Sequence, residues 1–180
     1  QTFDKVILAC GAWLGQTLEP LGFEVDVRPQ KGQLRDYFFE GMDTAKLPVL
    51  MPEGELDVIP FAGGKISVGA SHENDQGFDL TVDETVLASL EEEAKTYFPD
   101  LSTAKSFSER VGTRAYTSDF SPFFGEVPEL ESVFVASGLG SSGLTTGPLI
   151  GKNLVELAMN RPGSLDSADY PVAQYVKKKD

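Results

Sequence analysis

The chain has 180 residues, 41% of them hydrophobic, which is enough for the core of one substantial domain or two small ones. Its 15 Lys and Arg residues against 28 Asp and Glu residues give a formal net charge of −13. Nucleic acid and anionic membrane surfaces repel such a charge, so neither is an expected partner. The longest apolar run is also far too short to cross a bilayer, so we expect no membrane span.

The first half of the chain predicts one buried strand and then an antiparallel sheet. Residues 5–10 (KVILAC) form an apolar run that ends at Gly11, as a buried strand does. Cys10 is the single cysteine and cannot form an internal disulfide, so we interpret it as a small buried residue of a cytoplasmic protein. Strand patterns joined by turns follow at 24–39 (two strands or one bent strand), 47–51, 55–60 and 65–70.

The second half begins with a change to helical spacing. Asp83 or Thr81 can cap a helix that Pro99 ends, and residues 91–93 (EEE) are interpreted as its solvated face instead of a metal cluster. The remaining predicted elements are a strand at 104–116, a strand at 133–136, a helix from Gly147 or Pro148 to Met159, and a loose polar tail over 161–180. The pattern predicts a mixed α+β fold.

Three glycines near the end of the chain, Gly138, Gly140 and Gly143, spell Gly-x-Gly-x-x-Gly between a predicted strand and a helix. A dinucleotide fold needs a second strand after that helix, and the proline-containing segment after Met159 provides none, so we reject the simple Rossmann interpretation. Two uses of the glycines remain open. The turn can present backbone N–H groups to a flat ligand that gains negative charge, or its glycines can serve packing alone.

Six segments taken in order resemble one family. They are DKVILACGAW (4–13), VRPQKGQL (27–34), ISVGASHE (66–73), FPDL (98–101), RVGTRAYTSDFSPFFGE (110–126) and VFVASGLGSSGLTTGPLIGKNLVEL (133–157). The chain resembles the C-terminal part of the FAD-dependent oxidoreductases of the D-amino acid oxidase type, particularly the glycine oxidase and sarcosine oxidase branch. Each motif is weak alone, and their shared order makes the resemblance specific.

The resemblance implies a two-domain flavoprotein whose N-terminal FAD-binding half, the partner of this chain, precedes residue 1. The implied architecture is an antiparallel substrate-domain sheet with a flanking helix, together with terminal strand and helix elements of the FAD-binding domain. The implied boundaries are 1–23 for a FAD-domain element, 24–117 for the substrate-binding domain, 118–160 for the closing FAD-domain strand and helix, and 161–180 for the tail.

The resemblance also implies the cofactor contacts. FAD is expected to be noncovalent in the full-length protein and to be held poorly or not at all by this chain alone. Its isoalloxazine ring is expected to lie over Gly140, Ser141, Ser142, Gly143, Leu144 and Thr145, with Gly11, Ala12 and Trp13 allowing close approach to the backbone. No catalytic base is implied, because positioning of the substrate does most of the work.

Three residues are implied as substrate contacts, namely Arg114, His72 and Asp57. Arg114 matches the arginine that binds the substrate carboxylate, although the proline that commonly follows it is Ala115 and Ser141 replaces a second arginine of glycine oxidase. The alternatives are a surface strand arginine for Arg114 and a structural role for His72.

The implied reaction is oxidation of an α-amino acid or N-alkyl glycine at its CH–NH bond by hydride transfer to FAD. The chain alone is expected to be inactive. Two alternatives stay open: a non-catalytic binding or assembly module with the same substrate-domain fold, and a dehydrogenase that passes electrons to an acceptor other than oxygen.

Overall fold

The computed structural model describes residues 2–179, which form two compact units. One unit comprises residues up to Pro29 and those from Arg114 onward, and is called the terminal unit below. The other runs from Gln30 to Thr113 and is called the central unit. The assignment of these parts to FAD-binding and substrate-binding domains stays a prediction.

The strands, in chain order, are β1 (Val6–Leu8), β2 (Phe23–Val25), β3 (Arg28–Phe38), β4 (Asp57–Phe61), β5 (Lys65–Gly69), β6 (Lys105–Tyr116), β7 (Phe123–Glu126), β8 (Val133–Ser137) and β9 (Val176–Lys178). The α-helices are α1 (Leu14–Leu18), α2 (Glu84–Tyr97), α3 (Gly143–Ala158) and α4 (Val172–Tyr175). Short 3₁₀ turns occupy Gly11–Trp13, Glu19–Leu21, Thr44–Lys46, Pro99–Thr103, Gly140–Ser142 and Ser167–Asp169. This mixed architecture confirms the predicted α+β class.

The central unit is built on a four-stranded sheet in the order β4-β5-β3-β6, with β5 antiparallel to both β3 and β4. Apolar side chains alternate along these strands, so one face carries Tyr37, Val58, Ile66 and Val68 into the core with Leu90 of α2. Helix α2 begins at the expected cap, because the side chain of Asp83 accepts hydrogen bonds from the backbone of Thr85 and Val86. The predicted helix is confirmed.

Polar side chains on α2 and the sheet form a network in this unit. Glu91 accepts a hydrogen bond from the Tyr37 hydroxyl at 2.8 Å and lies 2.9 Å from Nζ of Lys95. Burial opposes ionisation of Glu91, but the hydrogen bonds from Lys95 and Tyr37 outweigh it and lower the pKa of its carboxyl. Glu91, the first of residues 91–93, therefore links helix α2 to the sheet.

The terminal unit contains a three-stranded sheet in the order β1-β8-β7. β1 runs parallel to β8, and β7 runs antiparallel to it. One apolar cluster includes Ile150 and Leu154 of α3, which pack with Phe124 and Phe134. Another cluster includes Leu14 and Leu18 of α1 with Phe123. Helices α1 and α3 therefore supply the apolar side chains that pack with this sheet.

Two strand predictions in the first half of the chain are wrong in part. Residues 5–10 were expected to be buried, but Val6 and Ile7 are 38% and 42% exposed because β1 is an edge strand with one neighbour in this sheet. Residues 47–51 form no regular strand among the described residues, and Leu50 makes an isolated bridge to Val58. Pro48 and Pro52, which have no backbone N–H to donate, flank that bridge.

The expected loose tail is also wrong over residues 167–178. Helix α4 is followed directly by β9, which pairs antiparallel with β2. Val172, Tyr175 and Val176 are buried in the cluster that contains Phe123. The segment is ordered because β2, more than 150 positions earlier in the chain, provides a strand edge for it.

Helix α3 starts earlier than predicted. The sequence predicts a start at Gly147 or Pro148, whereas the helix begins at Gly143 and contains Pro148 within its first two turns. Pro148 lies at the sixth helical position, so it cannot form the hydrogen bond to the carbonyl of Leu144 that a backbone N–H there would donate. Among the described residues, no helix is sufficiently long and apolar to cross a membrane.

Candidate cofactor and substrate site

The parallel pairing of β1 and β8 brings two glycine-rich turns together. Residues from Val6 to Leu8 lie opposite those from Val133 to Val135, so both strands end at the same edge of the sheet. The turn Gly11–Trp13 follows β1, and the turn Gly140–Ser142 follows β8. The edge formed by the carboxyl ends of parallel strands is where α/β folds bind ligands.

One side chain joins the two segments directly. The hydroxyl of Ser137, the last residue of β8, is buried and donates a hydrogen bond to the carbonyl of Gly11 at 3.0 Å. Gly11 has φ +55°, and a Cβ atom at this position would meet nothing within 4 Å. Ala12 is buried, and Trp13 is 45% exposed. The turn therefore has open space beside its backbone, as close approach of a flat ligand requires.

The second turn leads into the N-terminus of α3. Ser142 is the N-cap residue, and its side chain makes no hydrogen bond to the helix among the described residues. The first turn of α3 carries no acidic residue to offset the positive end of the helix dipole. The side chain of Leu144 is 95% exposed, and that of Thr145 donates to the carbonyl of Ser142 at 2.8 Å.

These two turns fit the implied flavin in shape and charge. The predicted cofactor residues in the segments 11–13 and 140–145 all lie at one sheet edge, with open space at Gly11 and an uncapped helix N-terminus in the described residues. Backbone N–H groups at such a place favour a ligand that carries or gains negative charge. The roles of the individual residues stay predictions.

Arg114 lies near the end of β6 in the same unit as these turns. It is half-buried, and it stands two residues before Tyr116, on the same side of the strand at a rise of about 7 Å. Tyr116 contacts the turn Gly140–Ser142, called the glycine bend below, because its hydroxyl accepts a hydrogen bond from the N–H of Ser141 at 3.2 Å. The strand thus brings the guanidinium-bearing segment close to the bend.

Sequence reasoning missed Tyr116 and Ser137 as parts of this arrangement. Tyr116 had one available signal: it follows Arg114 at i+2 in a predicted strand, so the two side chains share a side. Ser137 had no such signal, because its contact with Gly11 depends on pairing between strands 126 positions apart.

His72 and Asp57 lie in the central unit. Asp57 begins β4 opposite Gly69, the last residue of β5, and His72 follows three residues later. Asp57 and His72 therefore lie at the open end of the β4–β5 hairpin, opposite the turn that connects the two strands. Glu55 reaches His72 twice, accepting its backbone N–H at 3.1 Å and lying 3.4 Å from its Nδ1 atom. His72 is thus held in part by a carboxylate, and its substrate role stays a prediction.

Comparison with known proteins identifies the family of a chain with this fold and this glycine-rich edge. The family model described as FAD dependent oxidoreductase matches residues 1–157, and the chain belongs to this family. Residues 158–180, which include α4 and β9, lie outside the matched range.

Individual relatives give a finer picture. The chain is 38% identical over 171 residues to an uncharacterized oxidoreductase of Bacillus subtilis, covering 94% of this chain and 46% of that protein. It is 32% identical over 170 residues to glycine oxidase of Pseudomonas aeruginosa, with the same coverage of both chains. The crystal structure of iminodiacetate oxidase from Chelativorans sp. BNC1 superimposes with a TM-score of 0.91 at 32% identity, covering 94% of this chain and 46% of that one. The chain therefore spans about half the length of these relatives.

Proposed function

We propose that the full-length protein is a FAD-dependent oxidoreductase that oxidises the C–N bond of an α-amino acid or an N-substituted glycine. In a chain of this family, the proposal rests on one observation about the arrangement of its turns and Arg114. The open turn at Gly11 and the N-terminus of α3 meet at the carboxyl ends of β1 and β8, and β6 brings Arg114 two residues from the tyrosine that contacts the same bend.

The chain's own residues would hold the flavin through the backbone. The turns Gly11–Trp13 and Gly140–Ser142 would place glycine backbone beside the ligand, and Gly143, Leu144 and Thr145 of α3 would offer N–H donors. When bound, FAD supplies the acceptor for the two electrons removed from the substrate. N–H donors aimed at the part of the ring where negative charge collects favour that transfer. Binding is noncovalent in this proposal.

Arg114 would bind the substrate carboxylate. Its planar guanidinium can form two parallel charge-assisted hydrogen bonds, which fix both the position and the orientation of a carboxylate. An orientation held in this way directs the α-carbon toward the flavin, and positioning of this kind lowers the barrier without a strong protein base. His72 and Asp57 are proposed as further substrate contacts.

The names of two relatives narrow the substrate class. One is a glycine oxidase and the other an iminodiacetate oxidase, each 32% identical to this chain. Iminodiacetate is a glycine whose nitrogen carries a second carboxymethyl group, so the two substrates share a glycine unit with a free carboxylate. Glycine, N-methylglycine and iminodiacetate are therefore the first substrates to test.

The remaining half of the protein is proposed as the partner that completes the flavin site. The exposed apolar side chains of Val6 and Ile7 on edge strand β1 support this proposal, because an exposed apolar edge favours pairing with another segment. The 180 residues alone would then bind FAD weakly or not at all and would have little activity. A cytoplasmic location is proposed on the strength of the single cysteine.

The experiment replaces Arg114 by Leu in the full-length protein. A lost bidentate contact to a buried carboxylate should lower kcat/KM by at least about a hundredfold, with FAD content unchanged. Arg161→Leu is the control, since Arg161 is exposed in the turn after α3. An Arg114→Leu enzyme with the kcat/KM of the control would refute the carboxylate role. Peroxide formation during turnover separates an oxidase from a dehydrogenase.

A further inference from the structure

Tyr116 packs against the glycine bend and is hydrogen-bonded to it. It is 9% exposed, and its hydroxyl makes two contacts with Ser141. It accepts the backbone N–H at 3.2 Å and donates to the side-chain hydroxyl at 3.3 Å. A buried phenol in the terminal unit is therefore hydrogen-bonded to the middle residue of the turn Gly140–Ser142.

The ring of Tyr116 also occupies the space beneath Gly140. Gly140 has φ +53°, and a Cβ atom built on it would overlap the tyrosine ring, coming within 2.7 Å of Cζ. The backbone of the bend thus rests directly on the aromatic ring. Only a residue without a side chain fits there, because both the left-handed backbone and the ring oppose a Cβ.

A second aromatic residue fixes the ring edge-on. Phe120 meets Tyr116 with ring centroids 5.3 Å apart and planes at 71°. Phe120 itself has φ +61° and is 59% exposed, a combination that costs energy for a bulky residue. The guanidinium of Arg28 lies 5.7 Å from its ring centroid. Phe120 is therefore held in a strained conformation beside the tyrosine, and strain of this kind clusters at functional sites.

These contacts decide which N–H groups remain for a ligand. The N–H of Ser141 is bonded to the Tyr116 hydroxyl, and that of Ser142 is bonded to the carbonyl of Leu139 at 3.1 Å. The N–H groups of Gly143, Leu144 and Thr145 belong to the first turn of α3, where an α-helix provides no acceptor. The donors at this helix N-terminus are thus the N–H groups of these three residues.

We propose that Tyr116 is a positioning residue for the flavin: by bonding Ser141 and filling the space under Gly140, it sets the direction of the first turn of α3. The inference rests on the proposed function, because it assigns those N–H groups to FAD. Tyr116 touches no substrate in this proposal. Its effect is transmitted through the backbone of the bend.

The test compares Tyr116→Phe with Tyr37→Phe in the full-length holoenzyme. Tyr37 is also a buried phenol, and its hydroxyl donates to Glu91 in the central unit, so its loss controls for removal of a buried hydroxyl. Tyr116→Phe should weaken FAD binding about tenfold and make the reduction potential of bound FAD more negative. The backbone amide of Ser141 should exchange with deuterium about tenfold faster, and Tyr37→Phe should change none of these quantities.

Two further variants keep the test decisive if Tyr116→Phe folds poorly. Ser141→Ala retains the N–H bond to the tyrosine and should have a smaller effect on potential than Tyr116→Phe. Gly140→Ala displaces the ring and should shift FAD affinity and potential in the same direction as Tyr116→Phe. FAD affinity and potential that match Tyr37→Phe in all variants would overturn the positioning role, even with faster exchange at Ser141. A wild-type protein that binds no FAD would instead refute the proposed function itself.

Discussion

Replacement of Tyr175 by Ala should destabilise the terminal unit strongly, although sequence patterns place this residue in a loose tail. Tyr175 is 4% exposed, and its ring stacks on Phe123 at a centroid distance of 4.8 Å and an interplanar angle of 13°. Truncation of a buried aromatic side chain costs about 3–5 kcal/mol, because apolar contacts are lost and a cavity remains. That is a large part of the 5–15 kcal/mol that stabilises a typical domain.

The assay is urea unfolding followed by tryptophan fluorescence. Trp13 is the single tryptophan and lies in the terminal unit, so its emission reports on that unit. Lys177→Ala is the matched control, since Lys177 is exposed on the adjoining strand β9 and its loss should change the unfolding free energy by less than about 0.5 kcal/mol. Tyr175→Phe keeps the stacked ring and should fall between the two.

One result would refute this reasoning. If Tyr175→Ala unfolds at the same urea concentration as Lys177→Ala, the segment from Val172 to Lys178 contributes no packing energy and the pairing of β9 with β2 does not hold in solution. A loss of several kcal/mol would instead establish that the last ten residues of the described chain complete the core of the terminal unit.

Two further predictions concern a pair of glycines and a half-buried carboxylate. Gly138→Ala should destabilise the chain by about 2 kcal/mol or more in urea unfolding, because φ is +75° and the new Cβ would lie 2.8 Å from the carbonyl oxygen of Ser121. Gly151→Ala is the matched control. Gly151 lies inside α3 with open space around it, so this variant should stabilise the chain by up to about 1 kcal/mol. Burial opposes ionisation of Asp36, but its hydrogen bonds, of which the bond from Arg110 is the strongest, outweigh burial and lower the pKa of the carboxyl. The ionised carboxylate therefore stabilises the fold fully above pH about 4, and this stabilisation is lost as the pH falls through the folded-state pKa. Asp36→Asn should therefore flatten the acid limb of the stability curve, and an unchanged slope below pH about 4 would contradict the ion pair.

Several elements could be predicted from local sequence because their signals are local. Helix α2 has its cap at Asp83, its apolar residues at helical spacing and a proline just past its end, and strand β6 occupies nearly the predicted range. The α+β class followed from the same patterns. Residues 47–51 were predicted wrongly because an apolar run is compatible with a strand or with an extended loop, and prolines on both sides limit its pairing.

The sequence by itself determined the family, the order of the elements and the segments that carry the glycines and Arg114, because each of these depends on residues close together in the chain. Tertiary structure decided which of them meet. Parallel pairing of β1 with β8 joins turns about 130 positions apart, β9 pairs with β2, and Tyr116 fills the space beside Gly140. These contacts depend on packing between distant segments, and no local pattern of residues encodes their partners.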